Sequence, residues 1–98
     1  MYKAIILPLA KEDIKEAVDW YNARQKGLGK RFTTKLREKV RFIRQHPQAA
    51  PIRYDSIRTT VLDIFPYMIH YSIDESQKAV IISAVFHSSG NPDRWKER

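Results

Sequence analysis

The chain of 98 residues has no cysteine, which excludes disulfide staples, thiolate metal sites and thiol nucleophiles and fits a reducing compartment. No apolar run approaches the ~20 residues a membrane span requires. The early apolar stretch at residues 4–10 is interrupted by Pro8 and has no cleavage pattern. The expectation is a soluble, cytoplasmic protein with no membrane partner. Glycine is rare, three residues in all, and there is no repeat, linker or low-complexity stretch, so residues 1–98 read as a single domain. Acids are also scarce. Eleven Asp and Glu against 18 Lys and Arg leave a net charge of +7, which favours an acidic partner, either nucleic acid or an acidic protein segment. Three scattered histidines without a cysteine give no metal signature, and no cofactor is expected.

What the chain does have is a beta-forming region at residues 59–87. Its first strand is expected at residues 60–65, stopped by Pro66, which cannot donate to a ladder. A second, at residues 67–73, alternates Tyr67, Ile69, Tyr71 and Ile73 with Met68, His70 and Ser72, the period of a strand with one buried face. A third, at residues 79–87, is apolar nearly throughout except at Ser83 and reads as a central strand. Residues 2–7 suit a short opening strand ended by Pro8, residues 51–55 a further short strand or an extended lead-in, and residues 56–58 a turn.

Two helices are expected between these strands. Ile14, Ala17, Val18 and Tyr21 form one stripe over residues 11–25, with Glu12, Asp13 and Glu16 at its start and Arg24 and Lys26 near its end, the polarity a helix dipole favours. Gly27 and Gly29 break that helix. Phe32, Leu36, Val40 and Ile43 mark a second helix from residue 28 or 29 to 45, barred from continuing by Pro47. So short a link makes the pair an antiparallel hairpin, which covers one sheet face and buries Ile14, Val18, Tyr21, Phe32, Leu36 and Val40. The fold class is a two-layer α+β domain with a helical hairpin on a mainly antiparallel sheet.

Trp20 and Tyr21, the GLG of residues 27–29 followed by Phe32, the FPY of residues 65–67, the YSID of residues 71–74, and AVFH running on to Asn91, Pro92 and Trp95 occur in an order and spacing that cover nearly the whole chain. Together they resemble the RelE/ParE superfamily of toxins from bacterial type II toxin-antitoxin pairs. The resemblance implies a β-α-α-β-β-β order and a cognate antitoxin as partner. RelE-like members cut messenger RNA on the ribosome. They place an arginine after the tyrosine matching Tyr67, another after the last strand, and lysines on the preceding strand. Here Met68, Gly90 and Thr59, Thr60 and Val61 stand at those places, so the cations that would meet the developing phosphate charge are missing. The ParE-like branch, which inhibits DNA gyrase by binding it, needs no such set and is the favoured reading. A RelE-like ribonuclease acting with ribosome and mRNA is the alternative, and a non-toxic basic nucleic-acid binder the third.

The expected target-binding surface comprises Arg58, His87, Asn91, Arg94 and Trp95, on the premise that an antiparallel ladder sets Arg58 beside His87. In the ribonuclease reading His87, Arg58 and Arg94 would be the catalytic set. His87 is equally well explained as a ring satisfied by hydrogen bonds in the Ser88–Ser89 turn, and Trp95 as packing back on the sheet. His46 suits a helix-end cap and His70 a surface or sheet-face position. The second helix carries Lys30, Arg31, Lys35, Arg37, Lys39, Arg41 and Arg44 against Glu38 alone, either a solvated face or a docking surface. Lys35, Lys39 and Arg41 are the expected antitoxin contacts. The GLGK stretch is no phosphate loop, since it lies between helices and Phe32 occupies the place of a third glycine.

Overall fold

The structure is a computed structural model that describes residues 1–90 and 92–97. Strand β1 (Lys3–Ile6) leads directly into α1 (Pro8–Arg24), so Pro8 starts the helix as well as ending the strand. A proline at the first helical position sacrifices nothing, because first-turn amides have no helical acceptor and its φ is already helical. The helix therefore begins earlier than its apolar stripe suggested, and its first turn holds no acid. The expectation that Glu12, Asp13 and Glu16 cap its start is corrected. Asp13 instead accepts the backbone N–H of Val85 at 3.0 Å.

Gly27, at φ 87°, takes the left-handed turn that a side chain would resist, and α2 (Leu28–Gln45) follows. Gly29 serves a different need. Its N–H donates to Asn22 Oδ1 at 2.9 Å, and a Cβ at this position would lie 2.6 Å from Asn22 Nδ2, so the hairpin closes only over a bare α-carbon.

The remaining strands are β2 (Ile52–Tyr54), β3 (Ile57–Val61), β4 (Tyr67–Asp74) and β5 (Ala79–His87). The sheet order is β1-β5-β4-β3-β2, with β1 parallel to β5 and every other pair antiparallel. The two helices on this five-stranded sheet make an α+β fold. The expected central place of β5 is observed, and residues 52–54 prove to be a strand. Two boundaries are corrected. Ile57 and Arg58, expected in a turn, pair with β2 and β4, and the ladder expected to reach residue 65 ends at Val61. Beyond it the loop folds tightly on itself: Leu62 N–H bonds to Tyr67 O at 2.9 Å and Phe65 N–H to Asp63 O at 2.8 Å. Leu62 and Phe65 are buried, while Ile64 between them points outward at φ 73°.

The register assigns each strand residue to a face. Tyr67, Ile69, Tyr71, Ile82 and Val85 meet the helices together with Tyr21, Phe32, Leu36 and Ile43. Aromatic rings close one end of this core, with centroids 4.9 Å apart for Tyr21 and Phe65 and 5.2 Å for Phe32 and Tyr67. At Ser83 the ladder slips by one residue, since His70 pairs with Ala84 and Tyr71 with Ile82. The bulge falls at Ser83, whose hydroxyl donates to His70 O at 3.4 Å.

Candidate functional surfaces

The face of the sheet away from the helices has its own small core. Thr59, Met68, His70 and Ala84 are all buried there, and the ring of Trp95, in the 3-10 helix Pro92–Glu97, packs against His70. His70 is fully buried on this sheet face, so of its two expected places, surface or sheet face, the second is the one observed. Its ring lies 4.7 Å from that of Trp95 and 5.1 Å from Phe86, and its Nδ1 is 2.8 Å from the Tyr54 hydroxyl. The guanidinium of Arg53 stands 5.5 Å over the outer side of Trp95. Trp95 therefore packs onto the sheet.

The expected neighbourhood of Arg58 and His87 is not formed. His87 is paired with Tyr67, whereas Arg58 is paired with Tyr71, four residues further along β4 and on the other flank of the sheet. Arg58 also faces the helix side, opposite to Trp95. There its Nη1 donates to Ala50 O at 2.6 Å and Gln48 O at 3.3 Å, and Tyr71 donates to Pro47 O at 2.7 Å, so the two side chains tie down the loop that follows α2. Asn91 and the side chain of Arg94 lie outside the described residues.

His87 is exposed at the end of β5, its Nδ1 held by Ser89 through the hydroxyl at 2.7 Å and the backbone N–H at 3.1 Å. Its ring stands edge-on to Tyr67 at 5.2 Å. Burial chiefly, then the neighbouring Tyr21 and Glu16, raise the Tyr67 phenol above its ordinary range, so it remains protonated at neutral pH. Among the described residues, no group of three or more His, Asp or Glu could hold a metal ion.

The basic helix divides into two flanks. On one, Lys35 pairs with Glu38 at 3.3 Å, and Lys39 reaches Asp63 at 3.9 Å and the Phe42 ring at 5.7 Å. On the other, α2, α1 and β1 enclose an open groove of about 540 Å³. Ile6, Ile14, Leu36 and Val40 line it together with Arg37, Arg41 and Arg44. Of the three expected antitoxin contacts, Arg41 lies on this groove, while Lys35 and Lys39 lie on the opposite flank. The charge run on α2 marked the helix, but the groove needs β1 beside it, and that neighbour comes from the parallel pairing with β5. Arg44 also braces the groove, its Nε donating to Tyr2 O at 2.8 Å. His46 stands at the helix C-cap through its backbone N–H, with its ring against Phe42 at 5.1 Å.

A helical hairpin packed on a mostly antiparallel five-stranded sheet is a fold this chain shares with solved toxin-antitoxin proteins. A structure of the chromosomal ParDE toxin-antitoxin system from P. aeruginosa superposes with a TM-score of 0.77 at 19% identity, covering 89% of this chain and 96% of that one. The intact E. coli RelBE toxin-antitoxin complex gives 0.70 at 15% identity over 92% of this chain and 100% of that one. The isolated E. coli RelE toxin also gives 0.70, at 14% identity over 99% and 95%. No curated protein sequence matches the chain. Residues 4–92 match the model of the ParE toxin of the type II toxin-antitoxin system parDE, and the chain belongs to that family.

Proposed function

We propose that this toxin acts by holding a protein target, DNA gyrase, rather than by cleaving RNA. The observation that carries the reading is the state of the sheet face away from the helices. Met68, where the resemblance implies an arginine in ribonuclease relatives, is 7% exposed on the face that Trp95, itself 9% exposed, packs against at His70. A phosphate brought to Met68 would meet a buried apolar side chain in place of a cation, and the guanidinium of Arg53 on this face stands over the Trp95 ring, so the electrostatic stabilisation that RNA cleavage requires is weakened there. Arg58, the second candidate cation, commits Nη1 to two backbone carbonyls on the helix side. Of the candidate set within the described residues, that leaves His87 for acid-base work. Purified protein is expected to inhibit gyrase supercoiling and to leave messages on translating ribosomes intact. Codon-dependent cleavage that disappears in His87→Ala would establish the ribonuclease reading instead.

The same proposal assigns the antitoxin to the groove beside α2. An acidic, amphipathic segment matches an apolar floor rimmed by Arg37, Arg41 and Arg44, and the net charge of +7 would steer its approach. The association rate with the cognate antitoxin is expected to fall as ionic strength rises, and to fall further in Arg37→Ala/Arg41→Ala. A rate independent of salt would remove steering by these residues.

A further inference from the structure

The loop between β3 and β4 presents an apolar side chain under conditions that packing does not explain. Ile64 is β-branched, sits at φ 73°, and is 65% exposed. A branched side chain in the left-handed region is strained, and glycine or asparagine would occupy the position with less cost. Core burial gives no return for that strain, because the core contacts of the loop are made by Leu62 and Phe65 on either side. Those two anchors, the tight backbone bonds of the loop and the reach of Lys39 to Asp63 hold Ile64 in place. The same lysine stands 5.7 Å from the ring of Phe42, which is 46% exposed. On the other side, Ser88 N–H bonds to Pro66 O at 2.7 Å, so the loop is continuous with the turn that carries His87.

We infer that Ile64 is the anchor of the target-contacting surface, a fixed apolar knob that enters an apolar pocket on a protein target. The inference rests on the reading that this toxin works by binding a protein. The occupant is a protein because residues 59–67 contain no Lys or Arg and the neighbouring Lys39 is turned toward Asp63, while a rigid apolar residue ordered before contact suits a binding hot spot.

The test uses Ile64→Gly and Ile64→Asn, both of which relieve the backbone while removing the knob. Each variant is expected to unfold at the same or a higher temperature than the parent, to bind the antitoxin with parental affinity, and to lose at least about tenfold in supercoiling inhibition and in growth arrest. Stable variants that retain full inhibition and full growth arrest overturn the knob and leave the gyrase reading intact. A parent that arrests growth without affecting supercoiling overturns the gyrase reading, and the knob then stands or falls on whether the variants still arrest growth. A parent that affects neither has no target for the knob and overturns it. Sedimentation of the free protein supplies the last outcome: a dimer that dissociates in Ile64→Gly would assign the knob to a second copy of the chain and overturn the proposal.

Discussion

The two faces of the sheet are built from the same strands yet differ in what covers them. Two long helices, seventeen and eighteen residues, lie on one face and bury a continuous core of aromatic and branched side chains. The other carries, among the described residues, Trp95 of a six-residue 3-10 helix packed with Tyr54 and Phe86 around the buried His70. The first face has enough apolar area to hold the fold. The second is a local cluster whose loss would leave the main core standing. Alternation of side chains along β4 supplies both, so one strand serves a stability face and a finishing face at once.

The sharpest way to break this contrast is to empty each face in turn. Phe32→Ala should cost ~3–5 kcal/mol in urea unfolding, since a fully buried ring leaves a cavity that two helices and a sheet cannot close. Trp95→Ala should cost roughly 2 kcal/mol or less, with faster amide exchange confined to the neighbourhood of β2 and the 3-10 helix. Equal losses would mean that the two faces unfold as one unit.

A second comparison separates tying from binding. Arg58→Ala removes two bonds to the loop after α2 and should cost about 1.5–3 kcal/mol, while supercoiling inhibition per folded molecule stays at the parental level. Inhibition lost at unchanged stability would return Arg58 to the target surface.

The helix-side face should also respond to alkaline pH. Burial, its largest cause in each, raises the phenols of Tyr21, Tyr67 and Tyr71, all on the helix side, above the ordinary value of 10.0. Above that pH the unfolded chain ionises while the folded one still holds its protons, so the unfolded state binds fewer protons and stability falls as pH rises. Below it the contribution is fully present. Chemical denaturation should therefore give level stability up to pH 10.0 and a decline beyond it, shallower in Tyr67→Phe. A decline unaffected by that substitution would place its cause elsewhere. The smallest expected effect belongs to the finishing face. Tyr54→Phe deletes the contact to His70 Nδ1 and should cost ~1 kcal/mol, seen as a small shift in urea midpoint without change in slope.

The elements that the sequence pattern located best were those with a strong period and an unambiguous stop. The α2 stripe ended by Pro47 and the β5 run met the structure at their boundaries. Where a residue has two uses, the pattern misled. Pro8 ends a strand and starts a helix, and the apolar Leu62, Ile64 and Phe65 imitate strand alternation while belonging to a tight loop, because only backbone dihedrals distinguish the two. The surfaces were less legible still. Charge marked α2, but the choice between its flanks depends on β1, and the burial of His70 depends on Trp95, distant in sequence. Nothing in the local sequence around Ile64 signals its outward strain.

The pairing of β1 with β5 carries a consequence for the order in which the molecule comes into being. Lys3 meets Ala79 and Ile6 meets Ile82, so the first strand made waits for the last one before it has a neighbour. Until residues 79–87 exist, β1 and β4 both present bare hydrogen-bonding edges, and the apolar stripes of both helices lack the strand at the middle of their floor. The arginine-rimmed groove cannot form either, since β1 is one of its walls. A nascent chain of this toxin is thus incomplete in its center, not at its margin, and completion comes in a single late step.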